Sequence, residues 1–385
     1  MAGANHEPVV YDPFDPVVRA DPYPTYAALR HADPVHRPGS ERRFFLSRLA
    51  DGRAALRDPR LVVANGAAGR RSADVPPSML TTDGAEHRRL RAAVAPLLAA
   101  PPTGGAGAVA RACSALPAGP AQLDLLDVVA RPLALATLVE LFAVGDDELP
   151  AFDRACRDSV ACLDPFAGPL TVQIARRAAA ELAAFAASRL GGRGGGLVER
   201  LVADRRAGRH DLDDDEIVAA AVVVLAGAYG PLVHGLGNAL RRHAGRRCWP
   251  LATDDPPAAR RRAADAVRVD SPIPFCARVV SEPMEAAGTS FEPGDEIVVL
   301  LASTNHDERA FPDSWAARAD RAVDPLTFGA GAHRCPGATL AVRTVWSGLE
   351  RCAAAWRSVD VDPSPPVLSA SVPRGVRTLT AEVRA

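Results

Sequence analysis

Apolar positions change their period twice along this chain of 385 residues. The opening, from Asp12-Pro13-Phe14-Asp15-Pro16 to Asp21-Pro22-Tyr23-Pro24, is proline-punctuated coil, followed by a short helix over Thr25–Arg30. Val35–Arg37 and Phe44–Ser47 read as two strands of a hairpin turning near Gly39-Ser40, and Leu49–Arg57 as the next helix. From about Ala85 to Ala244 the apolar residues recur at helical spacing, with breaks at the Gly/Pro clusters Pro101–Gly107, Pro117–Pro120 and Gly191–Gly196. The longest helix in this run is predicted from Ile217 to about Arg242, behind the acidic start Asp211-Leu212-Asp213-Asp214-Asp215-Glu216. Beyond Ser271 the period shortens to strands at Arg278–Val280 and Glu296–Leu300, set between proline-rich loops. A last helix runs from Ala338 to about Arg351. With no linker and no internal repeat, the pattern predicts one domain, 1–385, mainly α with a minor β portion.

Composition narrows the function classes. Hydrophobic residues make up 48% of the chain, enough for a large core. A net charge of −1 implies no polyanionic partner, so nucleic acid is not expected. All 45 basic residues are arginine, which together with the heavy use of alanine, glycine and proline suggests a GC-rich coding bias such as actinobacteria have. The seven cysteines are odd in number and none forms a CxxC pair, which argues against a disulfide framework or a zinc site. The N-terminus carries no signal peptide or anchor and no apolar run reaches membrane-spanning length, so the expectation is a soluble cytoplasmic protein away from membranes.

The densest chemistry lies in Phe328-Gly329-Ala330-Gly331-Ala332-His333-Arg334-Cys335-Pro336-Gly337. Glycines there permit tight turns and close backbone approach, and Cys335 sits at the start of a predicted helix, whose amides and dipole favour a thiolate. The segment resembles the haem-binding loop of the cytochrome P450 family, F-x-x-G-x-[H/R]-x-C-x-G, and fills every fixed position. The resemblance extends over essentially the whole chain. It implies the family's triangular helical fold, with haem b between a central helix and the cysteine loop and Cys335 as axial metal ligand. A thiolate in that place favours O–O cleavage.

The same resemblance implies a cradle for the cofactor: Phe328, Gly329 and Gly337 in the loop, and cations for two haem propionates. His87 and Arg91 stand four residues apart on one face of a predicted helix and match the family's propionate partners. His333 and Arg278 are the other two candidates. The family's buried Glu-x-x-Arg pair is here Asp265-Ala266-Val267-Arg268, one methylene shorter, and Ser314 stands where its third partner, an arginine, is usual. Arg318 is the expected substitute, with a less well satisfied network as the expected consequence.

The central helix departs further. The family's [A/G]-G-x-[D/E]-T-T is Ala226-Gly227-Ala228-Tyr229-Gly230-Pro231 here. The close approach at Gly227 survives, while Tyr229 replaces the acid and Gly230 the threonine that together relay protons; loss of a positioned acid–base group costs about 10²–10⁴-fold. Pro231 withholds an amide and predicts a kink near Gly227, whose freed carbonyl can order a water. Gly227, Tyr229 and Gly230 are therefore the candidate distal catalytic positions, with Tyr229 a possible but weakly acidic donor.

Three functions follow. The first is a monooxygenase or oxidase tailoring a polyketide- or peptide-like natural product, with protons from water or substrate. The second is a peroxide-using or redox-neutral haem enzyme (cyclase, dehydratase or isomerase). The third is a non-catalytic auxiliary partner protein, which the presence of Cys335 disfavours. A small-molecule substrate is expected in a pocket drawn from Pro76–Leu80, Ala228–Gly230, Ile273–Cys276 and Leu368–Ser371, with Leu80, Ala228, Ile273, Phe275 and Cys276 as its candidate walls. A ferredoxin with its reductase is the expected electron donor, steered by Arg88, Arg89, Arg334 and Arg343.

Overall fold

The computed structural model describes residues 9–63, 77–99, 116–117, 120–243 and 255–384. The expected break at Pro101–Gly107, the middle of Pro117–Pro120 and the pocket position Pro76 lie outside them. In chain order the helices are α1 (Pro16–Ala20), α2 (Tyr23–Ala32), α3 (Leu49–Ala55), α4 (Gly84–Ala99), α5 (Arg131–Phe142), α6 (Leu149–Ser159), α7 (Pro169–Ser188), α8 (Leu197–Arg206), α9 (Asp214–His243), α10 (Pro256–Val269), α11 (Leu301–Thr304) and α12 (Ala338–Ala355). The strands are β1 (Val35–His36), β2 (Arg43–Leu46), β3 (Leu61–Val62), β4 (Ala121–Asp124), β5 (Cys276–Val280), β6 (Met284–Ala286), β7 (Thr289–Phe291), β8 (Glu296–Val299), β9 (Ser358–Val361) and β10 (Thr380–Arg384). The mainly α fold with a minor β portion is what the pattern predicted.

The central helix α9 starts where its acidic cap places it. Asp213 and Glu216 exchange side-chain and backbone hydrogen bonds at 2.8 and 3.0 Å, a capping box that satisfies two orphan amides. The expectation that no apolar run reaches membrane length fails here: Asp214–Arg242 is long enough, and its apolar 18-residue window has a mean hydropathy of 2.0. Two-thirds of its apolar window is buried inside the fold, because helices α5, α6, α7, α10 and α12 all pack on it. A helix buried all round reads as apolar as a membrane span. The helix continues without interruption through Pro231.

The larger sheet has the order β1-β2-β8-β5-β3, with β2 and β8 parallel. Its strands are apolar on consecutive positions because both faces are covered. Phe44, Leu46, Ile297 and Val299 enter one cluster with Leu56 and Phe311, while Phe45 and Val298 enter another with Tyr11, Tyr26 and Leu29. The hairpin at Gly39-Ser40 forms as predicted, with Gly39 at φ +59°. Strand β4 was not anticipated. It lies inside the run read as helical and pairs with β10, more than 250 residues later, so no local period announces it.

Two buried acid–arginine networks lock the helices. Asp270, at the end of α10, is fully buried and bound by Arg241, Arg242 (3.1 Å), Arg374 (3.2 Å) and the Tyr23 hydroxyl (2.7 Å). Burial opposes the charge on Asp270, but the three arginines and the hydroxyl outweigh it and hold the carboxyl well below its ordinary range. The second network corrects the expected third partner. Arg268 grips Asp265 with two nitrogens, and the other cation on Asp265 is Arg321 Nε at 2.8 Å. Arg318 offers only its backbone amide to Asp265 at 2.8 Å and turns its side chain to Asp320. Ser314 contributes a carbonyl to Arg268 at 2.8 Å. The network is complete through a repacked loop, so the predicted shortfall of charge does not occur.

Candidate functional site: the cysteine loop and the cradle beside the central helix

Chain geometry at the loop follows from its glycines. Gly329 and Gly331 have φ of +68° and +70°. A Cβ on Gly331 would fall 2.1 Å from the Leu56 carbonyl oxygen, so only glycine lets the loop lie against the end of α3. The Cys335 amide then donates to Phe328 O at 2.8 Å, closing the loop just before α12. A Cβ on Gly337 would be 3.9 Å from the Cys335 sulfur. Burial raises the thiol's pKa; the Gly337 amide, Arg91 and Arg334 act in the opposite sense.

Around the loop the structure collects the four cationic candidates. His87 on α4 is buried and stacks on His333, ring centroids 4.1 Å apart. The His87 Nε2 atom is shut off from solvent without a hydrogen-bond partner. Desolvation, with His333 and Arg91 nearby, lowers its pKa to about 4. His333 Nε2 meets Asp83 Oδ1 at 3.0 Å. Asp83 was not singled out in the sequence; its other oxygen accepts from the Val63 amide at 2.9 Å. Arg91 donates to the Arg334 carbonyl at 2.5 Å. Arg278 donates only to the neighbouring Ala277 carbonyl, and among the described residues it has no carboxylate partner. Its charge depresses the pKa of His333, which places it by the same ring.

Gly227 is exposed although it lies midway along a core helix, and nothing stands within 4 Å of where its Cβ would be.

No family model matches the chain. The chain is 29% identical to cytochrome P450 monooxygenase PikC of Streptomyces venezuelae, covering 86% of this chain and 84% of that protein. It is also 29% identical to nocardicin C N-oxygenase of Nocardia uniformis subsp. tsuyamanensis, covering 86% of each. Among solved structures it is similar to CalO2, with a TM-score of 0.84 at 26% identity over 97% of this chain and 99% of that one. CYP164A2 of Mycobacterium smegmatis superposes with a TM-score of 0.82 at 27% identity, covering 96% and 98%.

The chain belongs to the cytochrome P450 family. It is an oxidoreductase of the oxygen-using P450 type, and its cofactor is haem held by a cysteine thiolate. The residues present fit that group. An unpartnered buried imidazole, an arginine without a carboxylate, a half-buried free thiol and an open face at Gly227 are costly or useless in a packed core. Each has a use beside an anionic macrocycle with a soft-ligand metal.

Within this P450, two of the three distal positions depart from expectation. Tyr229 lies two residues from Gly227, roughly 160° round the helix at 100° per residue. It is buried in the main core, and desolvation and Asp153 raise its pKa, with Arg157 opposing. It is therefore not a proton donor on the Gly227 face. Gly230 has no vacancy for a hydroxyl: a Cβ there would meet Val160 Cγ1 at 2.7 Å and Pro373 at 3.3 Å. Val160 and Pro373 close over this position.

The predicted pocket walls divide. Leu80 is 51% exposed and lines neither described cleft. Ile273 and Cys276 pack on the sheet cluster of Phe44 and Leu46, whereas Phe275 packs on the opposite cluster and faces Phe166, ring centroids 6.1 Å apart. Strand alternation separates them, so Phe275 and Cys276 cannot both line one cavity. Ala228 packs partly buried on the main core. A cleft of about 600 Å³ instead lies along the flank of α9, with Gly230 and Leu368–Ala370 of the expected set among its walls. His234, not singled out in the sequence, also lines it; its place one helical turn beyond Gly230 was the available signal. Of the four arginines expected to steer a partner, Arg89 is engaged by Glu216 and Asp211, while Arg88 and Arg334 are exposed.

Proposed function

We propose that this chain is a haem-thiolate monooxygenase that oxidises a mid-sized, largely apolar natural product, acting as a single domain in the cytoplasm. Cys335 would hold the haem iron through its sulfur, and His87, Arg91, Arg278 and His333 would meet the propionates. The observation that carries the reading is the convergence of these five side chains, one with an orphaned buried nitrogen.

Bound haem supplies the oxidising chemistry, and the thiolate tunes it toward O–O cleavage. The chain's own residues do the rest. The Gly337 amide, Arg91 and Arg334 favour the anionic form of the sulfur. Neither Tyr229 nor Gly230 offers a proton on the Gly227 face. That role falls to ordered water at the Gly227 carbonyl, which Pro231 deprives of its helical amide, or to the substrate's own hydroxyl. Electrons come from a ferredoxin and its reductase, drawn to arginines such as the exposed Arg88 and Arg334 and the half-buried Arg343. Natural-product oxidation is supported by the likeness to PikC and to nocardicin C N-oxygenase.

The test is the absorption spectrum of the reduced protein under carbon monoxide. A strongly red-shifted Soret band that Cys335→Ala removes and Cys276→Ala retains is the expected result. A band that survives Cys335→Ala, or a purified protein without haem, overturns the reading. The filled space at Gly230 favours a second reading, a peroxide-driven enzyme. Product formed with hydrogen peroxide but not with ferredoxin, reductase and NADPH would select it.

A further inference from the structure

An acid stands among the cations of the cradle. Asp83, between β3 and α4, places Oδ1 3.0 Å from His333 Nε2 across 250 positions of sequence. Its Oδ2 accepts from the Val63 amide, just past the end of β3, at 2.9 Å. Its backbone carbonyl accepts from the His87 amide at 3.3 Å, in the first turn of α4. One residue therefore joins three segments: the chain after β3, the helix that carries His87, and the loop that carries Cys335. The helix is entered through Gly84, whose φ is +62°. Nothing lies within 4 Å of where its Cβ would be, so backbone conformation and not crowding calls for glycine there.

A negative charge beside a receptor for two propionates opposes binding by Coulomb repulsion. Its use has to lie in what the hydrogen bond does to His333. An ionised carboxylate only accepts, so His333 Nε2 carries the proton and the ring is fixed in orientation. His87 covers a face of the same ring, with centroids 4.1 Å apart and the planes at 41°. Edge and face are thus both held. A ring fixed beforehand loses little freedom when an anion docks on it, which is the gain that preorganisation brings. The His87 side of the pair is set by the same residue, through the backbone bond that opens α4. The Val63 bond keeps the carboxylate itself from turning away.

We propose that Asp83 is the positioning residue of the haem cradle: it holds the His333 ring against His87, so that both imidazoles stand in place for the propionates before the cofactor enters. The inference rests on the haem reading above and deepens it by naming what sets the geometry of its anion receptor. Asp83 acts through His333 and needs no contact with haem.

The test is a double-mutant cycle on the purified holoprotein: the wild type, Asp83→Ala, His333→Ala and the two combined. The rate of haem transfer to apomyoglobin is read on each, and the reduced carbon monoxide spectrum records that the thiolate is still bound at the start. Asp83→Ala should speed haem transfer about tenfold when His333 is present. With His333 absent the same change should speed it about twofold or less, because the path through the ring is already gone. Asp83→Ser, whose single oxygen serves the Val63 amide, is carried through the same cycle as the variant that spares the fold, with the same pattern expected. Equal acceleration in both backgrounds would make Asp83 a tie between β3 and α4 and nothing more, and overturns the proposal. An unchanged rate in Asp83→Ala and Asp83→Ser overturns it as well. A wild type that takes up no haem overturns the haem reading and this proposal with it, whereas haem held through Cys335 together with equal acceleration overturns this proposal alone.

Discussion

His87 and His333, from helix α4 and the cysteine loop, stack with ring centroids 4.1 Å apart, and only His333 has a carboxylate partner. A pair of imidazoles with one free nitrogen between them is a poor structural device and a good anion receptor. His87→Phe fills the same space without the nitrogen. It should leave the fold intact and weaken haem retention by roughly tenfold or more, the worth of one hydrogen bond to a charged group. The haem-to-protein ratio after dialysis against apomyoglobin measures this; an unchanged ratio would remove His87 from the cradle.

Arg321, not Arg318, completes the Asp265–Arg268 network. Arg321→Met should destabilise the protein by about 3–5 kcal/mol, as removal of one partner from a buried ion pair does. Arg318→Met, which breaks a surface pair, should leave the unfolding midpoint almost unchanged. Urea unfolding of the two variants side by side gives the comparison, and equal midpoints would contradict the assignment.

The two glycines of the central helix should respond in opposite ways. At Gly230 an added Cβ meets Val160 at 2.7 Å, so Gly230→Thr should lower stability by about 1–3 kcal/mol and fail to restore a proton relay. Val160→Ala should recover part of the loss. At Gly227 nothing opposes a side chain, so Gly227→Leu should fold at least as stably without haem, helped by better helix propensity, and take up little haem. Thermal midpoints of the apoproteins and haem content of the expressed variants separate the two effects.

Acid stability carries a signature of the buried histidines. His306, held between Ser314 Oγ at 3.0 Å and the Val269 carbonyl at 2.8 Å, has its pKa lowered to about 4, first by burial. The unfolded chain takes up this proton near pH 6.5 and the folded one only near 4. The unfolded state therefore binds more protons in that window, and stability falls as pH drops from about 6.5 to 4. Asp270 acts lower: its folded pKa is depressed, so its contribution stands above the ordinary carboxylate range and is lost only below it. His306→Gln should flatten the loss between pH 6.5 and 4 while lowering stability at neutral pH. Unfolding midpoints at pH 7, 5.5 and 4.5 check the slope, and an unaltered slope would assign it to other groups.

The sequence carried far into the site because its signals are local. The cysteine loop needs positive φ at Gly329 and Gly331, and that requirement is written as glycine at fixed spacing. His87 and Arg91 share a face because four residues make about one helical turn, and the family pattern marks that pair. The capped start of α9 was legible for the same reason: Asp213 and Glu216 satisfy each other within one turn. What stayed hidden depends on residues remote in the chain. Strand β4 exists only because β10 pairs with it, and Arg321 reaches Asp265 through a loop whose path no period describes.

The chain by itself determined the helical class through its spacing, and its resemblance to the P450 family marked the cysteine loop and the set of cations expected around it. Tertiary packing alone decided what the distal positions do. Substitution at Tyr229 and Gly230 could be read from the sequence as a missing relay. That Tyr229 turns its hydroxyl into the core flank, and that Val160 and Pro373 close over Gly230, follows from how α6, the chain after it and the turn near Pro373 press on α9. Close packing leaves one arrangement of those side chains, and it is set by contacts between segments that lie far apart in sequence.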